Sequence, residues 1–208
     1  MNTLQKSMKS ITLGELVGDT LPAYETLLAP FASINVEGLT QDSRAVQPGH
    51  IFVALFGKNH DARDYIPVAI DRGAVAVLAD AGGEWQGIQT IDGVPVIAID
   101  CLRYQLGRLA ARFYGYPSDK YTVVGVTGTN GKTSCTQFIA QILTGLNASC
   151  GVVGTLGFGV YPKLNDTGYT TPDAIALQSA LADLASSNAR FVAMEVSSQG
   201  LHQYRVTG

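Results

Sequence analysis

The chain has 208 residues, 46% hydrophobic and 15% charged, with a formal net charge of −3, which allows one large or two small domains with an ordinary core. No basic run offers a nucleic-acid surface, no apolar stretch approaches the length of a membrane span, and no continuous apolar segment follows Lys6 and Lys9 as a signal peptide would require. Three cysteines without CxxC spacing, Cys101, Cys135 and Cys150, are expected to be reduced thiols serving as small buried hydrophobes in a soluble cytoplasmic protein.

In the first half, short apolar runs at 51–55, 74–78 and 94–99 read as strands. Segments 65–72 and 101–114 read as helices, the second with Leu102, Leu106, Leu109 and Phe113 at helical spacing. Gln41-Asp42-Ser43-Arg44 follows a further strand, and Gly57-Lys58-Asn59-His60-Asp61-Ala62-Arg63 is a polar loop. By themselves both read as ordinary turns. The Pro/Gly-marked stretch 114–119 is placed as a domain boundary, giving domains 1–117 and 118–208.

The second half carries the chemistry. Residues 122–127 are a short β-branched strand, and 132–146 a helix with Phe138, Ile139, Ile142 and Leu143 assigned to one face. Between them lies Gly128-Thr129-Asn130-Gly131-Lys132-Thr133-Ser134, a glycine-rich loop opening a helix. Such a loop presents unpaired N–H groups and a partial positive charge to an anion. Lys132 adds a full charge for the β- and γ-phosphates, and the Thr133 hydroxyl suits Mg²⁺. One departure is visible: the general phosphate-loop pattern places a glycine where Val126 stands, and Gly128 supplies the bend instead.

A strand at 150–154, a glycine-rich loop, a helix at 173–187 and a strand at 190–196 complete a βαβ pattern, which implies a parallel sheet. Only three strands are legible in this half, fewer than a phosphate-loop sheet needs, so the chain reads as cut inside its second domain. Thr171 reads as the N-cap of the 173–187 helix, with Pro172 in its first turn. Glu195, at the end of an apolar strand, reads either as a cap of the next turn or, beside a phosphate loop, as a holder of Mg²⁺.

The loop 125–133, with Asp42-Ser43-Arg44, Tyr169-Thr170-Thr171-Pro172 and Met194-Glu195-Val196-Ser197-Ser198 in this order, resembles the Mur ligase family. Within it the last three segments are similar to the branch that extends the peptide on UDP-N-acetylmuramoyl-L-alanyl-D-glutamate. The resemblance covers essentially the whole chain. It implies an α/β fold: a small N-terminal α/β domain binding the UDP end of that substrate, then the first part of a phosphate-loop, parallel-sheet ATP-binding domain. By position, Gln41, Ser43, Lys58, Asn59 and His60 are expected at the uridine diphosphate, and Tyr169, Thr170, Thr171, Ser197, Gln203 and Arg205 at the muramoyl dipeptide. Gly128 to Ser134 are expected at ATP, Thr133 and Glu195 at Mg²⁺, and Lys132 and Glu195 in the catalytic role.

The implied reaction is ATP-dependent amide formation through an acyl phosphate, in which phosphoryl transfer between two anions needs positioning and electrostatic relief. The added amino acid is expected to be meso-diaminopimelate, with L-lysine the alternative, bound by a further domain that this chain does not carry. A monomer is expected, and the chain by itself is expected to be inactive. Gln199 stands where these ligases commonly have histidine, and Lys58-Asn59-His60 departs from the His-Gln-Ala of some relatives. The alternatives are another ATP-dependent amide ligase, of a different Mur type or of the folate-polyglutamate kind, and a non-catalytic nucleotide switch.

Overall fold

Each half of the chain builds a mainly parallel sheet whose central strands are short, apolar and buried, the pattern of strands covered on both faces. The computed structural model describes residues 10–18, 20–57, 60–165 and 170–208. They form two compact units, Met1–Gln105 and Leu106–Gly208.

In the first unit, β1 (Ile11–Thr12) pairs with β2 (Asn35–Val36) beside the short helices α1 (Leu13–Gly18) and α2 (Glu25–Leu28). The main sheet takes β3 (Gly38–Thr40), β4 (His50–Ala54), β5 (Ala76–Asp80), β6 (Ile88–Ile91) and β7 (Val94–Ile99) in the order β3-β4-β5-β7-β6. All pairings are parallel except β6, which runs antiparallel on β7 at the edge. Helix α3 (Ile66–Asp71) connects β4 to β5 and buries Ile66 and Ala69 against Phe52, Ala54, Val77 and Ala79. Strand β6 was not anticipated: it is only half-buried and carries no clean alternation.

Helix α4 (Leu102–Phe113) buries the four residues its spacing singled out, and the chain passes from the first unit to the second within it. The second unit contains β8 (Thr122–Val126), α5 (Lys132–Gly145), β9 (Cys150–Gly154), β10 (Gly157–Val160), α6 (Ala174–Ser186), β11 (Phe191–Glu195) and α7 (Ser198–His202). The sheet order is β10-β9-β11-β8, with β9, β11 and β8 parallel and β10 antiparallel on β9. The segment read as a glycine-rich loop therefore supplies a fourth strand, whose Gly157-Phe158-Gly159-Val160 has too few side chains to show a period.

Alternation along β9 and β11 separates two cores. Val153, Val192 and Met194 pack with Leu177, Leu181 and Leu184 of α6, whereas Val152 and Ala193 pack with Ala140, Ile139 and Leu143 of α5. Helix α5 thus buries Thr136 and Ala140 and half-buries Ile139 and Leu143, while Phe138 and Ile142 are exposed. The four-residue face expected there is split. The cysteine expectation is also corrected: Cys150 is buried, but Cys101 and Cys135 are exposed, and all three are free thiols.

Candidate functional site

Parallel register brings the carboxyl ends of β8, β9 and β11 together, with Glu195 opposite Val126 and Met194 opposite Val153. Crevices at the carboxyl ends of parallel strands are where ligands of open α/β sheets bind. Three features of this unit meet there.

The first is the phosphate loop. Gly128 (φ 152°) and Gly131 (φ 78°) occupy backbone regions that disfavour side chains, and Gly131 is the N-cap of α5. Cys135 N–H closes the first helical bond onto Gly131, so the N–H groups of Lys132, Thr133 and Ser134 are left for an outside acceptor. Lys132 curls back over the loop, its Nζ donating to the Gly128 carbonyl at 2.7 Å and to Thr129 at 3.4 Å. A phosphate entering the loop would find the ammonium already poised there.

The second is Glu195, which is 2% exposed. Its Oε2 accepts from the Thr133 hydroxyl at 2.9 Å and its Oε1 from the Thr155 N–H at 2.8 Å. The Thr155 hydroxyl lies 3.3 Å from Oε2 and 2.9 Å from the Thr170 hydroxyl. A Cβ on Gly154 would overlap Oε1, so the carboxylate is seated in a cradle that only glycine leaves open. Among the described residues Glu195 makes no salt bridge, and no group of three His, Cys, Asp or Glu gathers that could hold a metal by itself. One buried carboxylate with hydroxyl neighbours fits Mg²⁺, which is typically held by one or two carboxylates together with the phosphates of a nucleotide.

The third is a knot around Thr171, itself 3% exposed. Its hydroxyl donates to the Glu195 carbonyl at 3.2 Å and accepts from the Ser197 N–H at 3.1 Å. Arg205 donates to the Thr171 carbonyl at 2.9 Å and grips Gln203 Oε1 through Nε and Nη2 at 3.0 and 2.6 Å. Thr171 is therefore not the cap of α6. Asp173 is, accepting from the Ile175 and Ala176 N–H groups. Ser197 caps α7 by accepting from Gly200 N–H at 3.0 Å.

In this unit the loop 128–134, Thr170, Thr171, Glu195, Ser197, Gln203 and Arg205 thus occupy connected positions; Tyr169 lies outside the described residues. Sequence reasoning missed Gly154 and Thr155. They follow the apolar run of β9 at the same sheet end as the loop, and that placement was the signal.

The first unit has its own cluster, built from two Asp-x-Arg turns that close β3 and β4. Asp42 accepts from the Arg44 N–H and guanidinium at 2.9 Å, which holds the Asp42 carboxyl below its ordinary range and presents the buried Ser43 in a single 3₁₀ turn. Asp61 repeats the arrangement with Arg63, whose hydrogen bonds likewise lower the Asp61 carboxyl. Arg63 also donates to the Asp80 and Gly82 carbonyls at 3.1 and 3.2 Å and sits 4.9 Å over the Phe56 ring. These contacts pin the ends of the 56–61 loop, in which His60 is exposed and its carbonyl accepts from Gly57 N–H at 3.1 Å. Gln41 is half-buried beside Ser43 in sequence; Lys58 and Asn59 lie outside the described residues. A cavity of about 400 Å³ beyond Arg63, bounded by Asp64, Gly83 and Trp85, includes none of Gln41, Ser43 or His60.

Residues 126–208 match the Mur ligase middle domain, and residues 35–114 match the catalytic domain of the Mur ligase family. The UDP-N-acetylmuramoyl-L-alanyl-D-glutamate–2,6-diaminopimelate ligase of Coxiella burnetii is 48% identical over 195 residues, 94% of this chain and 39% of the relative. The chain belongs to the Mur ligase family. The ligase of the same name from Pseudomonas syringae pv. tomato is 51% identical over 83% of the chain and 35% of its own length. A solved UDP-N-acetylmuramoyl-L-alanyl-D-glutamate–2,6-diaminopimelate ligase superposes with a TM-score of 0.72 at 32% identity, over 86% of this chain and 35% of that one. A MurF structure from Acinetobacter baumannii shares the fold, with a TM-score of 0.60 and 18% identity over 92% of this chain and 36% of that one. This Mur ligase chain spans under two fifths of the length of the curated relatives it matches. Among the described residues no helix is long and apolar enough to cross a membrane.

Proposed function

We propose that this chain supplies the UDP-substrate and nucleotide subsites of an ATP-dependent ligase that adds meso-diaminopimelate to UDP-N-acetylmuramoyl-L-alanyl-D-glutamate. The observation that carries the reading is the Thr133–Glu195 hydrogen bond, which joins a phosphate loop to a buried carboxylate next to the Thr170–Thr171 segment. The names of the relatives support the substrate pair, and the residues support the chemistry.

A carboxylate is a poor electrophile, and amide formation requires one of its oxygens to become a leaving group. The N–H groups of residues 132–134 and the Lys132 ammonium are suited to hold the terminal phosphates of ATP and offset repulsion from the approaching D-glutamate carboxylate. Thr133 and Glu195 would hold Mg²⁺. The ion, when bound, supplies neutralisation of charge on the transferring phosphoryl group. Arg205, fixed against Gln203 and Thr171, presents a positive group for the acidic peptide end. Ser43 and Gln41, with Lys58, Asn59 and His60, are assigned to the uridine diphosphate. These residues position and neutralise; no nucleophilic side chain is required.

Calorimetric titration of the protein with UDP-N-acetylmuramoyl-L-alanyl-D-glutamate tests the reading. Saturable binding, weakened about tenfold in Ser43→Ala by loss of one hydrogen bond to a charged group, is expected. Absence of binding by a protein that melts cooperatively rejects it in favour of a nucleotide switch or a ligase of another substrate.

A further inference from the structure

We propose that Thr155 is a positioning residue that couples occupancy of the Glu195 cation seat to ligand binding at Thr170, by reversing the direction of the Thr155–Thr170 hydrogen bond. The identity of the two ligands rests on the ligase reading above; the coupling rests on geometry at the end of β9.

Thr155 is anchored by its backbone, whose N–H donates to Glu195 Oε1 at 2.8 Å. Its side chain is exposed and fills no core position, so the hydroxyl is free to rotate without disturbing packing. That hydroxyl has one proton and two acceptors within reach, Glu195 Oε2 at 3.3 Å and Thr170 Oγ1 at 2.9 Å. A threonine hydroxyl donates once and accepts through its lone pairs. The direction of one bond therefore sets the direction of the other.

Two arrangements follow. With Oε2 unclaimed by a cation, the ionised oxygen is the stronger acceptor and Thr155 donates to it despite the long distance. Thr170 then donates to Thr155, and its proton is used internally. With Oε2 committed to a cation, Thr155 donates to Thr170 at the shorter distance. The Thr170 proton then turns outward and is available to an anionic group of the muramoyl peptide. No proton is gained or lost, since two hydroxyl rotors simply turn together. The chain Thr133–Glu195–Thr155–Thr170 thereby connects the nucleotide loop with the acceptor side.

One charge-assisted hydrogen bond gained in this way corresponds to a coupling of roughly fivefold, and reciprocity requires the same factor in both directions. The test is titration of the intact protein with UDP-N-acetylmuramoyl-L-alanyl-D-glutamate, with and without Mg²⁺ and a non-hydrolysable ATP analogue. In the wild type, Mg²⁺ and the analogue are expected to tighten substrate binding about fivefold. Thr155→Val abolishes that factor, Thr155→Ser restores it, and Mn²⁺ affinity read by electron paramagnetic resonance shifts reciprocally on adding substrate. Thr170→Val, cut at the other end of the bond, weakens substrate binding and also removes the coupling. Equal tightening in wild type and Thr155→Val, or coupling retained in Thr170→Val, overturns the relay and leaves the ligase reading standing. Absence of substrate binding in the wild type overturns both.

Discussion

Glu195 and Gly154 show how a single missing side chain shapes the site. The carboxylate is 2% exposed and makes no salt bridge among the described residues, and burying an ion in this way is costly unless hydrogen bonds and a counter-charge compensate. Thr133 and Thr155 provide the hydrogen bonds, and the Gly154 backbone leaves room for Oε1. Gly154→Ala therefore has to displace the carboxylate. The expected cost is about 1–3 kcal/mol in folding, as for other over-packed interiors. Mg²⁺-dependent nucleotide binding should fall about tenfold, the lower end of what disturbed outer partners of a metal ligand cause. Titration of an ATP analogue with and without Mg²⁺ separates the two effects; an unchanged Mg²⁺ dependence would remove Glu195 from the cation seat. The positions of Glu195 and Lys132 were legible in the sequence because each stands at a junction, strand end or helix start, that the local pattern marks. Gly154 and Thr155 were not, because their importance lies in what a strand 40 residues away places against them.

Among the elements, the parallel strands and the longer helices were legible, since continuous apolar runs and helical spacing survive without tertiary information. Cap and face assignments were less so. Thr171-Pro172-Asp173 offers two residues suited to an N-cap, and the choice falls on Asp173 because the Thr171 hydroxyl is engaged by β11 and Ser197. In α5, Phe138, Ile139, Ile142 and Leu143 span more arc than the sheet covers, and the small Ala140 lets the helix approach so that Ile139 and Leu143 take the inner side. This division has a measurable consequence. Leu143→Ala, which removes contacts with the β9–β11 face, is expected to cost about 2 kcal/mol, the low end for a partly buried leucine. Phe138→Gln, at a position 59% exposed, should remain within about 0.5 kcal/mol of the wild type. Urea unfolding of both variants checks the assignment, and a larger loss from Phe138→Gln would mean that the exposed side of α5 is the packed one.

At the scale of the whole chain, two units with separate cores carry separate sets of candidate ligand residues, and nothing in the β3–β4 turns of the first repeats the phosphate loop of the second. Ligand footprints should therefore be separable along the sequence. Hydrogen–deuterium exchange reads such footprints directly, because slowed exchange reports stabilisation of local hydrogen bonds. Uridine diphosphate is expected to slow exchange around residues 39–45 and at Gly57, where Asp42 and Asp61 already order the turns. Mg²⁺ with an ATP analogue should instead slow residues 128–136, Thr155 and Val196, the N–H groups tied to the phosphate loop, to Glu195 and to Val126. Removal of Mg²⁺ with a chelator should release Thr155 more than the helix interior, since the Thr155 N–H bond depends on where the Glu195 carboxylate points. Protection of the 128–136 loop by uridine diphosphate alone would reverse the assignment, because it would mean that the phosphate loop reads the sugar nucleotide and that the Ser43 turn has another ligand.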